Sequence, residues 1–332
     1  MLSIPPSLFG TMEFVDGSDH DMERVVTQAL ALGVRAFDCA ELYGSTEAVG
    51  RAFAQFLEAA PGDNRREQLF ISTKLHGIPC GEDYDAVRAR VAAHLTKLGV
   101  AKADLLLIHF PGPKEVDFAN DAPDAFAAKC AFSWFEENIA EGWANMIRLQ
   151  SDGLCDRIGV SNFYQPHLEF MLSHDAVTHP PTVNQVFIDF SHPEFALADF
   201  CKEHAIELMA YRPLSFVPHL QMAASMGDGG HGKMQALASA AGIQGVDERA
   251  FVLSWLFRRG IASIWKSSDS AHVGRNLAAV ADASRIPQEA FDDLSAFGTP
   301  DVVDMVGGCD EYAQALRSLC SVGRAGVAGT DD

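Results

Sequence analysis

An acid, a phenol, an ammonium and an imidazole are the groups in this chain whose types and spacing suggest chemistry. Asp38 closes the segment VRAFD, and Tyr43 follows it in the turn Tyr43-Gly44-Ser45. Lys74 closes LFISTK, and His109 lies near the end of DLLLIHF. A phenol with its unperturbed pKa of about 10 is a poor acid or base near neutral pH. A neighbouring ammonium favours phenolate and lowers that value, and a carboxylate paired to the ammonium keeps the lysine charged and oriented. Tyr43, Lys74 and Asp38 fit those three roles, with His109 holding a substrate oxygen beside the phenol. Such a set delivers a proton to an oxygen that becomes negative, as reduction of a carbonyl by hydride requires. Taken singly, each residue reads as structural: a strand-end acid, a loop aromatic, a strand-end lysine. They gain meaning only where one edge of a fold gathers them.

The elements needed for that gathering are legible as alternating strand and helix patterns. The strands read as a short one opening SLFGTMEF, with turn residues after it, then VRAFD, LFISTK, DLLLIHF, DRIGV, TVNQVF, AIELMAY and IASIW. Helical spacing follows Met22, Val25, Val26, Ala29 and Leu30, then residues 46–60, then Tyr84, Val87, Val91, Leu95 and Leu98. Further helices are expected at 133–152, 165–173, 195–205, 233–241, 247–259 and 270–283. DLLLIHF is apolar throughout, as a strand buried on both faces of a parallel sheet should be. Eight β-then-α units in roughly 285 residues predict an α/β fold, a single-domain (β/α)8 TIM barrel with extended loops on its C-terminal rim. A doubly wound sheet with a second domain would show a break in composition near the middle, and none is present. The C-terminal ends of strands five to eight add Ser161 and Asn162, Asn184 and Gln185, Tyr211, and Lys266 and Ser267 to the same rim.

Composition narrows the function classes. The 332 residues carry a formal charge of −20, which disfavours nucleic acid and anionic membranes as partners. An anionic ligand would need a local basic site, and Arg258, Arg259, Lys266 and Arg275 are candidates that lie close together in sequence. The seven cysteines are scattered with no C-x-x-C, which argues for reduced thiols and against a disulfide frame or a zinc site. No histidine spacing matches a metal motif, so no metal is expected. The opening stretch MLSIPPSLFG has no basic region and too short an apolar run for a signal peptide. A soluble, cytoplasmic protein is the expectation, with its oligomeric state left open.

Several separate stretches, in order, resemble the aldo-keto reductase family over residues 8–297. FDCAELYGSTEAVG resembles the family's strand-two motif, LFISTKL its lysine strand and DLLLIHFP its histidine strand. IGVSNF, VNQV, AYRPLS and IWKSS resemble its later signatures. The resemblance implies a barrel that binds NADPH, or NADH as the alternative, without a Rossmann domain, and that reduces a small-molecule aldehyde or ketone. It places the catalytic tetrad on Asp38, Tyr43, Lys74 and His109, with Tyr43 as general acid. Ser161, Asn162 and Gln185 match residues that hold the nicotinamide carboxamide, and Tyr211 the ring stacked on it. Lys266, Ser267 and Asn276 match the adenosine and 2′-phosphate site.

The chain departs from the family pattern in several places. His272 stands where arginine is usual and Arg275 where an acid is usual, so Arg275 is a candidate for the phosphate contact. Met12, His76 and Phe110 replace aromatic residues of the substrate pocket, so substrate class does not carry over. Arg212 and Ser215 replace a serine and a glycine in the run after strand seven. The loop 111–132 is expected to contribute to the substrate pocket, and the tail from about residue 300 to read as irregular structure. Gly227, Gly229 and Gly232 satisfy G-x-G-x-x-G, and the same stretch approaches a P-loop at Lys233. Both readings need a hydrophobic strand immediately before, and QMAASM is not one. The same scaffold also allows a cofactor-binding regulatory subunit with little turnover, like the potassium-channel β subunits.

Overall fold

The computed structural model describes residues 3–12, 19–59, 65–117, 121–122, 125, 128–189, 192–215, 248–283 and 288. The expected stretch 227–233, the helix at 233–241, the tail beyond residue 300 and part of the loop 111–132 lie outside them. Eight parallel strands close a barrel in sequence order, with the last pairing back onto the first. They are β1 (Ser7–Gly10), β2 (Ala36–Asp38), β3 (Phe70–Leu75), β4 (Ala103–Ile108), β5 (Cys155–Ser161), β6 (Val183–Phe187), β7 (Glu207–Tyr211) and β8 (Ala262–Trp265). The helices around them are α1 (Asp19–Ala31), α2 (Thr46–Glu58), α3 (Tyr84–Lys97), α4 (Phe132–Ser151), α5 (Gln165–Ser173), α6 (Phe195–Glu203), α7 (Glu248–Arg258) and α8 (Ser270–Asp282).

Side chains on a strand alternate between faces, and here that alternation separates two cores. Leu8, Ala36, Leu105, Leu107, Val183, Met209, Ala262 and Ile264 fill the barrel interior. Phe9, Phe37, Ile71, Leu106, Ile108, Ile158, Val160, Val186 and Trp265 face the helical shell. Interior space is short where β5 passes its neighbours. A side chain at Gly159 would lie 2.5 Å from the Val183 carbonyl oxygen and 2.8 Å from Leu107, so only glycine fits. Continuing the alternation upward puts Asp38, Lys74, Gln185 and Tyr211 on the inner face at the C-terminal ends of their strands.

The strand boundaries differ from the sequence reading by a few residues. SLFGTMEF opens with the short strand expected, Ser7–Gly10, after which the Thr11 hydroxyl donates to the Asp38 carbonyl at 3.0 Å. β3 runs one residue past Lys74, and β4 ends at Ile108, so His109 begins the connecting loop. Its backbone N–H still donates to the Leu75 carbonyl at 2.9 Å, which extends the ladder and fixes its direction. Two helices owe their starts to aspartate caps. Asp83 accepts from the Asp85 N–H before α3, and Asp269 accepts from the N–H groups of Ala271 and His272 before α8. On α4, Phe135 and Trp143 are fully buried against the barrel while Phe132 and Trp134 are only partly covered. Among the described residues no helix is long and apolar enough to cross a membrane.

Candidate active site

At the C-terminal mouth Lys74 Nζ donates to Asp38 Oδ2 at 2.6 Å, with both side chains essentially buried. Asp38 is the last residue of β2 and pairs in register with Ser72 of β3, which brings the two strands' inner-face residues together. Its second oxygen, Oδ1, accepts from the Ser72 hydroxyl at 3.1 Å and from Gln185 Nε2 at 2.9 Å. The Lys74 ammonium donates further to the Cys39 carbonyl at 3.0 Å and to the Tyr43 hydroxyl at 3.5 Å. The Tyr43 ring meets the His109 ring edge-on, with centroids 6.0 Å apart. The four residues singled out in sequence therefore share one mouth of the barrel.

Their electrostatics follow from burial set against pairing. Burial pulls the Lys74 value down, but the Asp38 carboxylate, helped by Tyr43, outweighs it and holds the ammonium above the ordinary lysine value. Burial likewise pushes the Tyr43 phenol upward, and the pull of Lys74 does not fully reverse it. This corrects the sequence expectation of a lowered phenol pKa: the sign of the lysine's influence was right, but the loss of solvent is larger. His109 falls well below the ordinary imidazole range through burial and then through Lys74, so it is neutral at pH 7. Cys39 is buried and its thiol is pushed up to about 12, which makes it a packing residue rather than a nucleophile.

A second set of polar groups runs around the mouth over β5, β6 and β7. Ser161 Oγ donates to the Gln185 carbonyl at 2.7 Å, and Asn162 Nδ2 donates to the His109 carbonyl at 2.9 Å. The Tyr211 hydroxyl donates to Asn162 Oδ1 at 2.9 Å. Asn162 holds a φ of 62° and Arg212 a φ of 51°, left-handed conformations uncommon for residues other than glycine. Both directly follow a strand, where such a turn redirects the chain outward across the rim. At the β8 exit Lys266 Nζ donates to the Met12 carbonyl at 2.8 Å. Ser267 and Asp269 bond to each other across the turn into α8. Asn276 is buried on α8, and its Oδ1 has no hydrogen-bond partner. Arg275 is exposed beside it. His272 lies 3.9 Å from the capping Asp269, whose carboxyl the helix N–H groups hold below the usual range.

The pocket candidates are spread around the opening. Phe110 is buried and meets His76 edge-on at 5.4 Å, while Met12, just past β1, is 57% exposed. Three residues near the site were not singled out from sequence: Ser72, which bonds to Asp38, and the pair Glu41 and Arg90 beside His76. Ser72 was findable by alternation, two residues before Lys74 on the same face. Glu41 lies inside the Asp38–Tyr43 stretch, but nothing local announces its partner on α3. Among the described residues no group of three or more His, Cys, Asp or Glu side chains is placed to hold a metal ion.

A family model described as the aldo/keto reductase family matches residues 8–298. An aldehyde reductase of Saccharomyces cerevisiae is 30% identical over 315 residues, covering 92% of each chain. A D-galacturonate reductase of Hypocrea jecorina is 30% identical over 281 residues, covering 83% of this chain and 82% of its own. An aldo-keto reductase of Bombyx mori, solved in complex with NADP, superposes with a TM-score of 0.67 at 24% identity, covering 89% of both chains. An aldose reductase of Giardia lamblia superposes with a TM-score of 0.70 at 23% identity, covering 95% of this chain and 98% of its own.

Proposed function

The chain belongs to the aldo/keto reductase family, and from that membership and the site geometry we propose that it reduces aldehydes or ketones to alcohols with NADPH as hydride source. The observation that carries the reading is the Tyr43 hydroxyl 3.5 Å from a lysine ammonium that is itself paired with Asp38 at 2.6 Å. When bound, the reduced nicotinamide supplies the hydride that the carbonyl carbon receives. Everything else falls to the chain. The raised phenol value keeps Tyr43 protonated in the resting site, so a proton is available. Once that proton passes to the carbonyl oxygen, the phenolate left behind sits beside Lys74, whose charge Asp38 maintains. His109, neutral at pH 7, orients the carbonyl oxygen toward the phenol without competing as a strong acid.

The residues present suit the dinucleotide. Ser161, Asn162 and Gln185 offer amide and hydroxyl groups for a carboxamide, and Tyr211 offers a ring face beside them. Lys266, Ser267 and Arg275 supply cationic and hydroxyl groups for phosphate at the β8 exit. Asn276 Oδ1 supports this reading, because a buried acceptor without a protein partner suits a donor such as an adenine amino group. The Bombyx mori relative was solved with NADP, and Arg275 can answer a 2′-phosphate in place of the arginine that His272 replaces. We therefore favour NADPH over NADH.

The test is NADPH oxidation with a reactive aromatic aldehyde, run with NADH and with Tyr43→Phe in parallel. The expected result is turnover that prefers NADPH and falls at least about a hundredfold in the variant. Tight cofactor binding without turnover on any carbonyl would overturn the reading in favour of a binding or sensing subunit.

A further inference from the structure

Glu41 sits between Asp38 and Tyr43 and is bonded to the exit of β3 at both ends. Its backbone N–H donates to the Lys74 carbonyl at 2.9 Å. Its side-chain Oε2 accepts from the His76 N–H at 3.0 Å. One residue thus spans the neighbours on either side of Leu75. The same oxygen accepts from Arg90 Nη1 of α3 at 3.1 Å, and Arg90 Nη2 reaches Glu82 at 3.3 Å. Glu82 in turn holds Lys114 at 2.7 Å on the loop after β4.

That loop is docked on the β3 exit by its backbone as well. Ile78 N–H donates to the Gly112 carbonyl at 2.8 Å. His76 Nε2 lies 2.8 Å from the Val116 carbonyl, so this nitrogen carries the proton and donates. A side chain at Gly77 would meet the backbone of Pro113 and Lys114 at 2.7 Å, and its φ of 76° favours glycine as well. The network therefore stitches together three connections that carry Tyr43, His76, and His109 with Phe110.

Two features separate this network from ordinary surface ion pairs. Glu41, Arg90 and Glu82 are 21%, 23% and 17% exposed, whereas Lys97 and Glu47 nearby are 58% and 63% exposed. Arg90 also leaves its Nε buried without an acceptor, an expense that a purely stabilising pair would avoid.

We propose that Glu41, held by Arg90, is a positioning residue that sets the distance between the Tyr43 phenol and the substrate wall formed by His76 and the 111–117 loop. This rests on the carbonyl-reductase reading for its kinetic consequences, not for its structural ones. Removing the carboxylate frees the His76 N–H and lets the wall shift relative to the phenol while the cofactor half of the rim, on β5 to β8, is untouched. A displacement of about an ångström at that wall is enough to lower turnover by one to two orders of magnitude.

The experiment compares Glu41→Ala, Glu41→Gln and, as a control, Asp152→Asn, which breaks a pair with Arg88 and a bond from Tyr84, both on α3. Readouts are kcat and KM for an aromatic aldehyde, NADPH affinity by fluorescence, and amide hydrogen exchange. In Glu41→Ala we expect kcat/KM to fall at least about tenfold with NADPH affinity within about twofold, and the His76 and Ile78 amides to exchange faster. Glu41→Gln, which keeps an acceptor for the His76 N–H, recovers most of the loss, and Asp152→Asn shows neither effect. Unchanged exchange at His76 and Ile78 overturns the proposal, as does a loss of NADPH affinity equal to the loss in kcat/KM. If the wild type turns over no carbonyl, the reductase reading falls, and the exchange measurement alone decides whether Glu41 fixes the wall.

Discussion

The barrel carries an ion pair at each mouth, and the two are built to opposite ends. At the C-terminal mouth Lys74 and Asp38 meet at 2.6 Å with side chains 0% and 3% exposed. At the N-terminal mouth Arg157 and Glu207 meet at 3.1 Å with side chains 23% and 20% exposed. Glu207 also accepts from the Ser3 hydroxyl and from the N–H groups of Ser3 and Ile4, so inert groups answer its charge and tie the N-terminal segment across the barrel floor. At the upper mouth Ser72 and Gln185 answer Asp38, but the ammonium, besides the Cys39 carbonyl, faces a phenol. Desolvating two ions costs several kcal/mol each, which a partly wet pair escapes. The upper pair is therefore a weak choice for stability and a strong one for acting on the charge of Tyr43. The lower pair is a fastening.

The largest effect expected from this contrast comes from Lys74→Met. It leaves the Asp38 carboxylate buried without its cation, which should destabilise the fold by about 3–5 kcal/mol in urea unfolding. It also removes the charge that steadies a phenolate, so turnover should fall by about 10²–10³-fold in whatever fraction remains folded. A variant that loses activity but keeps wild-type stability would mean that Asp38 is readily neutralised, and the upper pair would then be less strained than its burial implies.

Two buried imidazoles in the helical shell test whether burial by itself, away from either mouth, makes a group sensitive to pH. Burial lowers His94 to about 4 and His167 to about 3. His94 bonds to Thr73 behind Lys74 at 2.7 Å, and His167 accepts from the Tyr164 N–H at the start of α5. Both folded-state values lie below the unfolded value of about 6.5, so the unfolded chain binds more protons in acid. Their contribution is complete above about pH 6.5 and is lost as pH falls toward 4, by roughly 3 kcal/mol each. His167→Asn should flatten the fall in urea stability between pH 7 and pH 4. An unchanged slope would show that water reaches His167 in solution.

How much of this was legible in the sequence depends on the range of the signal. Their places near the C-terminal ends of predicted strands put Asp38, Lys74, Gln185 and Tyr211 on one rim without knowledge of their partners, because strand patterns are local. His109 was read as a strand residue and proved to start a loop, since an apolar run does not reveal where pairing stops. The bond from Gln185 to Asp38 joins residues 147 apart in sequence, and the Glu41–Arg90 pair joins the turn after β2 to α3, beyond α2 and β3. Such contacts are properties of the closed barrel. The net pKa of Tyr43 was misread for the same reason: a charged neighbour can be read from motif spacing, but the depth of burial cannot. Glu207 passed as an unremarkable residue near the start of a strand because its partners, Ser3 and Arg157, are also distant.

The smallest effect sharpens the contrast from below. Burial would raise Glu207, but the bonds from Ser3, then Arg157 and Ile4, outweigh it and hold the carboxyl below its ordinary value. A lowered folded-state value means that this contribution is present above about pH 4.3, the unfolded value, and is lost as pH falls further. Because the pair is partly wet, Glu207→Gln should cost about 1 kcal/mol at pH 7 in urea unfolding. The gap between variant and wild type should close in acid, below the range where the buried histidines have already acted. Activity should not change, since nothing in the substitution reaches the upper mouth. A loss of turnover in Glu207→Gln with stability preserved would show that the two ends of the barrel are coupled, and the division between a fastening floor and a reactive rim would fail.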